Sequence, residues 1–190
     1  MGNKVNFGLS KVHYAILTEG ATNSWDTPVA VPGAVSLTID DNSTSNPFYA
    51  DNITYYRSFA NNGYSGTLEL AKVPEAMLAD VFGITEDSTD KVIYERTGTA
   101  PAPFALLFQR EGDQGPEMAV LYKVTPTSKP TLGSSTIEDS PEPVTVSFEF
   151  EATPLTTGAA SQLGLISART ADDTADATKT SWFTAVKVPA

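Results

Sequence analysis

Residues 46–83, NPFYADNITYYRSFANNGYSGTLELAKVPEAMLADVFG, decide how this chain is read. Three patterns follow one another. Residues 46–64 hold four of the seven tyrosines, Tyr49, Tyr55, Tyr56 and Tyr64. Residues 65–73 alternate as a strand does, with Leu68 and Leu70 on one face and Thr67, Glu69 and Ala71 on the other. Pro74 then takes the first-turn position of a helix, where its missing N–H costs nothing. Met77, Leu78, Val81 and Phe82 make one apolar stripe, and Gly83 supplies a C-cap. A helix this short cannot stand alone and must pack on a sheet. Tyrosine gives large amphipathic area at low entropy cost, so a tyrosine-rich segment beside a sheet suggests a contact surface.

Upstream, residues 34–40 (AVSLTID) alternate, with Val35, Leu37 and Ile39 inward. Residues 41–45 (DNSTS) are polar and read as an exposed tip. Residues 47–50 and 53–59 are aromatic and β-prone. The expectation is a long protruding hairpin over residues 41–62, going up along 35–40 and back along 48–59, with Asn61-Asn62-Gly63 closing it. An isolated hairpin is marginal in water. This one either folds onto its own domain or waits for another subunit.

Residues 11–18 (KVHYAILT) are apolar on both faces, as in a strand covered on both sides. Residues 1–10 read as an extended arm, and 27–30 as a short edge strand. Residues 101–110 and 117–125 form an antiparallel pair. The sharpest alternation is residues 144–152 (VTVSFEFEA), with Val144, Val146, Phe148 and Phe150 inward and Ser147, Glu149 and Glu151 outward. Residues 127–137 read as a weak strand and 138–143 as an acidic turn. A strand is expected over 162–168, a loop over 169–179, and a docked terminus over 181–188. The order of the C-terminal segment 156–190 is left open. The sum is a single domain, residues 1–190, mainly β: an antiparallel β-sandwich or barrel with one short α-helix and a long protruding hairpin.

Composition closes off much chemistry. The chain has 190 residues, 12 basic against 23 acidic, for a formal net charge of −11. That opposes capture of phosphates, which rewards Lys and Arg. It is compatible with DNA passing without sticking. With no cysteine and one histidine, His13, thiol catalysis, His-dependent triads and transition-metal sites are disfavoured. Asn62-Gly63-Tyr64-Ser65-Gly66 lacks the Lys of a P-loop. Glu149 and Glu151, about 7 Å apart by strand rise, have a spacing that suits an inverting glycosidase, but any E-x-E strand gives it. The Asp172–Asp176 tract lacks the Gly and closing Glu of a calcium loop. No catalytic, cofactor or metal site is expected. No apolar run reaches the length of a membrane span. The first six residues lack the apolar core of a signal peptide. Exposed aromatics leave a carbohydrate-binding module as an alternative, which requires Tyr49, Tyr55, Tyr56 and Tyr64 to line a groove of one subunit.

The chain resembles the major tail proteins of long, non-contractile phage tails, the tail tube subunits. The likeness is carried by FGLSKVHYAILTE (7–19), TPVAVPGAVSLTID (27–40), FYADNITYY with ANNGYSGTLELAKVPEAMLADVFG (48–83), PAPFALLFQREGD (101–113), LYKVTPTSKP, and EDSPEPVTVSFEFEATPL (138–155). It covers most of residues 5–155 and is less specific after Gly158. The resemblance implies a non-enzymatic virion protein, assembled in the host cytoplasm. Its copies would form stacked, hexameric rings around a lumen that conducts DNA. Partners would be other copies and further tail proteins, including the tape measure, the terminator and the distal tail protein. On that footing Phe48, Tyr49, Tyr55, Tyr56, Phe59 and Tyr64 are the expected inter-subunit contacts. Glu69, Glu149 and Glu151 are the expected lumen-facing carboxylates. The runner-up is a carbohydrate- or receptor-binding β-sandwich module of a phage particle.

Overall fold

Strands form where apolar and polar residues alternate, and the computed structural model describes residues 3–131, 133–134 and 143–189. In chain order they are β1 (Asn6–Thr18), β2 (Ser24–Trp25), β3 (Val29–Ala30), β4 (Ala34–Asp41), β5 (Thr44–Ala50), β6 (Ile53–Ala60) and β7 (Tyr64–Leu70). Then come α1 (Glu75–Phe82), β8 (Thr85–Glu86), β9 (Ile93–Tyr94), β10 (Phe104–Gly112), β11 (Glu117–Pro126), β12 (Val146–Ala152), β13 (Ser167–Arg169) and α2 (Asp176–Thr180). The main sheet runs β2-β1-β10-β11-β12-β7-β4, with β3 beside β1 and β13 beside β11. Its pairings are antiparallel. The order has two ends, so the sheet is not closed into the barrel that the alternation allowed. β5–β6 and β8–β9 are separate two-stranded ribbons.

β1, β10 and β11 are apolar on both faces, and this divides the core in two. On one face Tyr14, Leu68, Leu70, Phe104, Leu106, Phe148 and Phe150 pack with Met77, Val81 and Phe82 of α1. On the other, Ala15, Leu17, Leu107, Val120 and Tyr122 pack with Leu155 and Trp182 from the C-terminal segment. Successive residues of β1, β10 and β11 feed opposite clusters, because strand side chains alternate faces.

Helix α1 begins after Pro74 and ends at Gly83, whose φ of 64° is left-handed. Gly83 N–H donates to Ala79 O at 3.1 Å and Ile84 N–H to Leu78 O at 3.0 Å, satisfying the last carbonyls. Phe82 meets Phe148 edge-on with ring centroids 5.3 Å apart. Tyr14 Oη donates to Asp80 Oδ2 at 2.8 Å. Burial and that carboxylate push the Tyr14 hydroxyl well above its ordinary pKa.

Several expectations change. The N-terminal arm is part of the sheet: β1 starts at Asn6, which pairs with Gly112. Ahead of it, Lys4 N–H donates to Asp113 Oδ1 at 2.7 Å, and Asn3 Oδ1 accepts from Gln114 N–H at 2.9 Å. The Lys4 N–H bond holds the Asp113 carboxyl below its ordinary pKa. Val35 is exposed rather than inward, because the β4–β7 register shifts between Ala34 and Ser36 and breaks the alternation. Val144 lies before β12 and is exposed as well. The 162–168 strand reduces to Ser167–Arg169, and the 169–179 loop contains the start of α2, so the described residues hold two helices. The acidic turn expected over 138–143 lies, but for Pro143, outside the described residues.

The C-terminal segment docks through Trp182, as its apolar composition requires. Tyr122 Oη donates to Lys187 O at 2.6 Å, and Phe183 stacks on His13 with centroids 4.8 Å apart. Asn23 and Gln162 are buried and bond each other: Asn23 N–H donates to Gln162 Oε1 at 2.8 Å, and Gln162 Nε2 to Asn23 O at 3.0 Å. Asn23 Nδ2 also donates to Thr157 O at 2.7 Å. A buried amide without partners would be costly, and these bonds fix the 157–162 stretch to the β1–β2 turn.

Candidate functional site: an aromatic ribbon and an acidic sheet face

The protruding element is a local hairpin. β4 pairs with β7 up to Asp41 opposite Tyr64, and Asn42 N–H donates to Gly63 O at 3.0 Å just beyond. Residues 43–62 are an excursion from that point. Within it β5 pairs with β6, Ala50 opposite Ile53. The two residues between them, Asp51 and Asn52, have φ of 52° and 62°. Consecutive left-handed residues are what a two-residue turn between twisted strands needs, and Asp and Asn tolerate it. The strand expected to run up along 35–40 and back along 48–59 is therefore corrected. β4 takes β7 as its partner, and the tip is Asp51-Asn52 rather than residues 41–45.

The ribbon is exposed along its whole length. Phe48, Tyr49, Ile53, Tyr55, Tyr56 and Phe59 are 61–72% exposed. Phe48 lies opposite Tyr56, and a bulge at Tyr55 breaks the alternation beside them. The register puts Phe48 and Tyr56 on one face of the ribbon and Tyr49 and Phe59 on the other, and this much exposed apolar surface on one short element suits an interaction site. Five of the six expected contact residues are on it. The sixth, Tyr64, is in β7 and packs partly buried against the first core cluster.

The expected lumen carboxylates share one sheet face. Across β4, β7 and β12 the register aligns Ser36, Glu69 and Ser147; then Thr38, Thr67 and Glu149; then Asp40, Ser65 and Glu151. These nine positions are four carboxylates and five hydroxyls, with no cation among them. On β1, β10 and β11 the corresponding face is sealed by Leu155 and Trp182. On β4, β7 and β12 it is polar, and no apolar cluster covers it among the described residues. Glu69 accepts hydrogen bonds from Thr145 Oγ1 and from Ser36 Oγ, the latter at 2.8 Å. Those bonds favour the charged form and hold the Glu69 carboxyl below its ordinary pKa. Glu149 and Glu151 are exposed. Glu149 N–H donates to Ser128 Oγ at 2.8 Å, and Thr127 N–H donates to Glu149 O at 2.9 Å, so residues 127–131 border the face.

His13 Nδ1 lies 2.9 Å from Lys11 O, and its ring lies against Phe183. The surroundings of His13 are therefore those of a packing residue. Among the described residues, no group of three or more His, Cys, Asp or Glu side chains could hold a metal ion. None of their helices is long and apolar enough to cross a membrane. Among the described residues, Glu149 and Glu151 lie on an open face rather than in a cleft.

No protein-family model matches this chain, and no curated protein matches it either.

Proposed function

We propose that the protein is a structural subunit of a phage tail tube, and that copies assemble into stacked rings around a channel for DNA. The observation that carries this reading is the ribbon: six large apolar side chains held out in solvent on a hairpin and buried against no other element among the described residues. The free edge of β4 and the cation-free face of β4, β7 and β12 support it further. An open strand edge is a hazard in a monomer and a joint in a ring. A wall of carboxylates and hydroxyls repels a phosphate backbone over the short range that salt allows. The chain then needs no catalytic group. Its partners are other copies, further tail proteins and DNA in transit, and its place is the virion tail.

The carbohydrate-binding alternative has the exposed tyrosines in its favour. It needs a groove, however, and Tyr49, Tyr55 and Tyr56 stand on a projecting ribbon while Tyr64 is partly buried elsewhere.

Electron microscopy of the purified chain tests the proposal, with rods or stacked rings expected. The matching control replaces residues 43–62 by Asn-Gly, using the closure already made by Asn42 and Gly63. That variant should keep its core and lose stacking. A wild-type chain that stays monomeric at every concentration and binds glycans through the ribbon would overturn the tube reading.

A further inference from the structure

The first core cluster is closed at one end and open at the other. α1 closes the end where Phe104 of β10 sits: Ala102 N–H donates to Val81 O at 2.8 Å, and Tyr14 bridges Phe104 and Asp80. The edge of β11 changes partner opposite Phe104 and Leu106, and from there the open end runs along β10 to Arg110, six residues or about 20 Å beyond Phe104 at the rise of a strand. β12 holds it at Val124–Pro126 and β13 at Ala119–Leu121. The two partners diverge and leave a cavity of about 720 Å³. Its walls include Ile39, Tyr64, Phe108 and Leu121, together with Arg110 and Arg169. Arg110 is paired with Glu117, and its Nε is buried without a partner among the described residues. Arg169 is in none of the ion pairs among the described residues.

The opposite end carries the complement. The β8–β9 ribbon lies beside α1, tied by Ile84 N–H to Leu78 O. It exposes Val92, Ile93 and Tyr94. Its carboxylates are Glu86, Asp87 and Asp90, against one cation, Lys91, which is 2.9 Å from Glu86. The ribbon thus joins apolar side chains to a net negative charge, and the mouth joins apolar side chains to a guanidinium, that of Arg169, which lacks an acidic partner among the described residues.

We propose that the β8–β9 ribbon of one copy seats in the mouth between β11, β13 and the ends of β4 and β7 of a second copy. This rests on the self-assembly reading and adds a second joint to it, separate from the aromatic hairpin. Unlike surfaces at opposite ends of one subunit give a head-to-tail contact, which repeats without limit or closes a ring. Opposite charges across it set orientation and suppress wrong pairings.

The chain has no cysteine, so paired cysteines report the contact directly. A chain carrying Ile93→Cys and Ser167→Cys should give, on mild oxidation, a ladder of covalent oligomers. A mixture of the two single variants should give heterodimers and no ladder. Arg169→Glu should raise the concentration needed for assembly about tenfold or more, and adding Asp87→Lys should lower it again. The crosslink decides the matter if Asp87→Lys disturbs its own turn. Assembly that survives Arg169→Glu and yields no ladder overturns this contact while leaving the tube reading intact. A wild-type chain that never assembles overturns both.

Discussion

Replacing Phe48, Tyr55 and Phe59 together by Ser separates folding from assembly. The three side chains are 61%, 72% and 69% exposed. A fully exposed aromatic presents about 200 Å², so the triple variant removes on the order of 400 Å² of surface available to a partner. At about 25 cal/mol per Å² that is a gross upper bound of about 10 kcal/mol. Lost rotational freedom and side-chain ordering offset most of it. Truncations at buried interface anchors point to a net loss of about 3–6 kcal/mol, or 10²–10⁴-fold in the concentration at which assemblies form. The isolated subunit should hardly notice. Exposed substitutions cost about 0.5 kcal/mol or less each, and the bond from Asn42 to Gly63 closes the core behind the ribbon. The two tryptophans, Trp25 and Trp182, both lie at the second core cluster, so urea unfolding followed by their fluorescence reads the core and not the ribbon. Sedimentation velocity reads assembly. A stability loss above about 2 kcal/mol would mean that the ribbon packs on its own subunit, and unchanged assembly would mean that it is not a joint. Either result refutes the reasoning.

Other predictions follow from particular contacts. Met77→Ala removes a fully buried side chain under α1 and should cost about 2–5 kcal/mol in thermal or urea unfolding. Gly66→Ala places a Cβ 2.6 Å from Phe150 Cζ and against Thr38 O, so it should destabilise by about 1–3 kcal/mol through overpacking, measured the same way. Glu69 has its carboxyl held below the ordinary 4.5 by Thr145 and Ser36. Its contribution is present above 4.5 and is lost as pH falls through the lower folded value, so Glu69→Gln should flatten the acid limb of stability in a series of urea midpoints from neutral pH downward. If the sheet face lines the channel, Glu149→Lys with Glu151→Lys should slow DNA release from particles whose tubes still form; an unchanged release rate would count against that placement.

The strands with clean alternation were legible in the sequence because each has one apolar side to bury. Phe148 and Phe150 against Glu149 and Glu151 needed only the period of two. Helix α1 was legible from Pro74, the apolar stripe and Gly83, three local signals that agree. Pairing was harder. β4 lies next in sequence to the ribbon, yet it bonds to β7, because the Asp51-Asn52 turn lets β5 and β6 satisfy each other first. Asp-Asn between two β-prone runs was the available signal, and read as an interruption it concealed the tip. The mouth at Arg110 and Arg169 had no sequence signature at all. It depends on β12 and β13 dividing one strand edge, a long-range arrangement that no periodicity encodes. The carboxylate face was half legible: the glutamates of β12 stood out, while their alignment with Asp40 and Glu69 required the register across three strands.

β1 is made first and completed late. Its residue Asn6 waits for Gly112, and its other face waits for Trp182, near the end of the chain. At about 5–20 residues per second of synthesis, the strand stays without its partner on the order of 5–20 s. The aromatic ribbon pairs only neighbouring residues, and such a hairpin, marginal by itself, samples its paired form within microseconds once it emerges. If the ribbon is the joint proposed above, a nascent chain presents it while its core is still unmade, and neighbouring chains on one messenger are the nearest targets. Slower translation widens that window, so the yield of correctly finished subunits should depend on the pace of synthesis as much as on the stability of the finished fold.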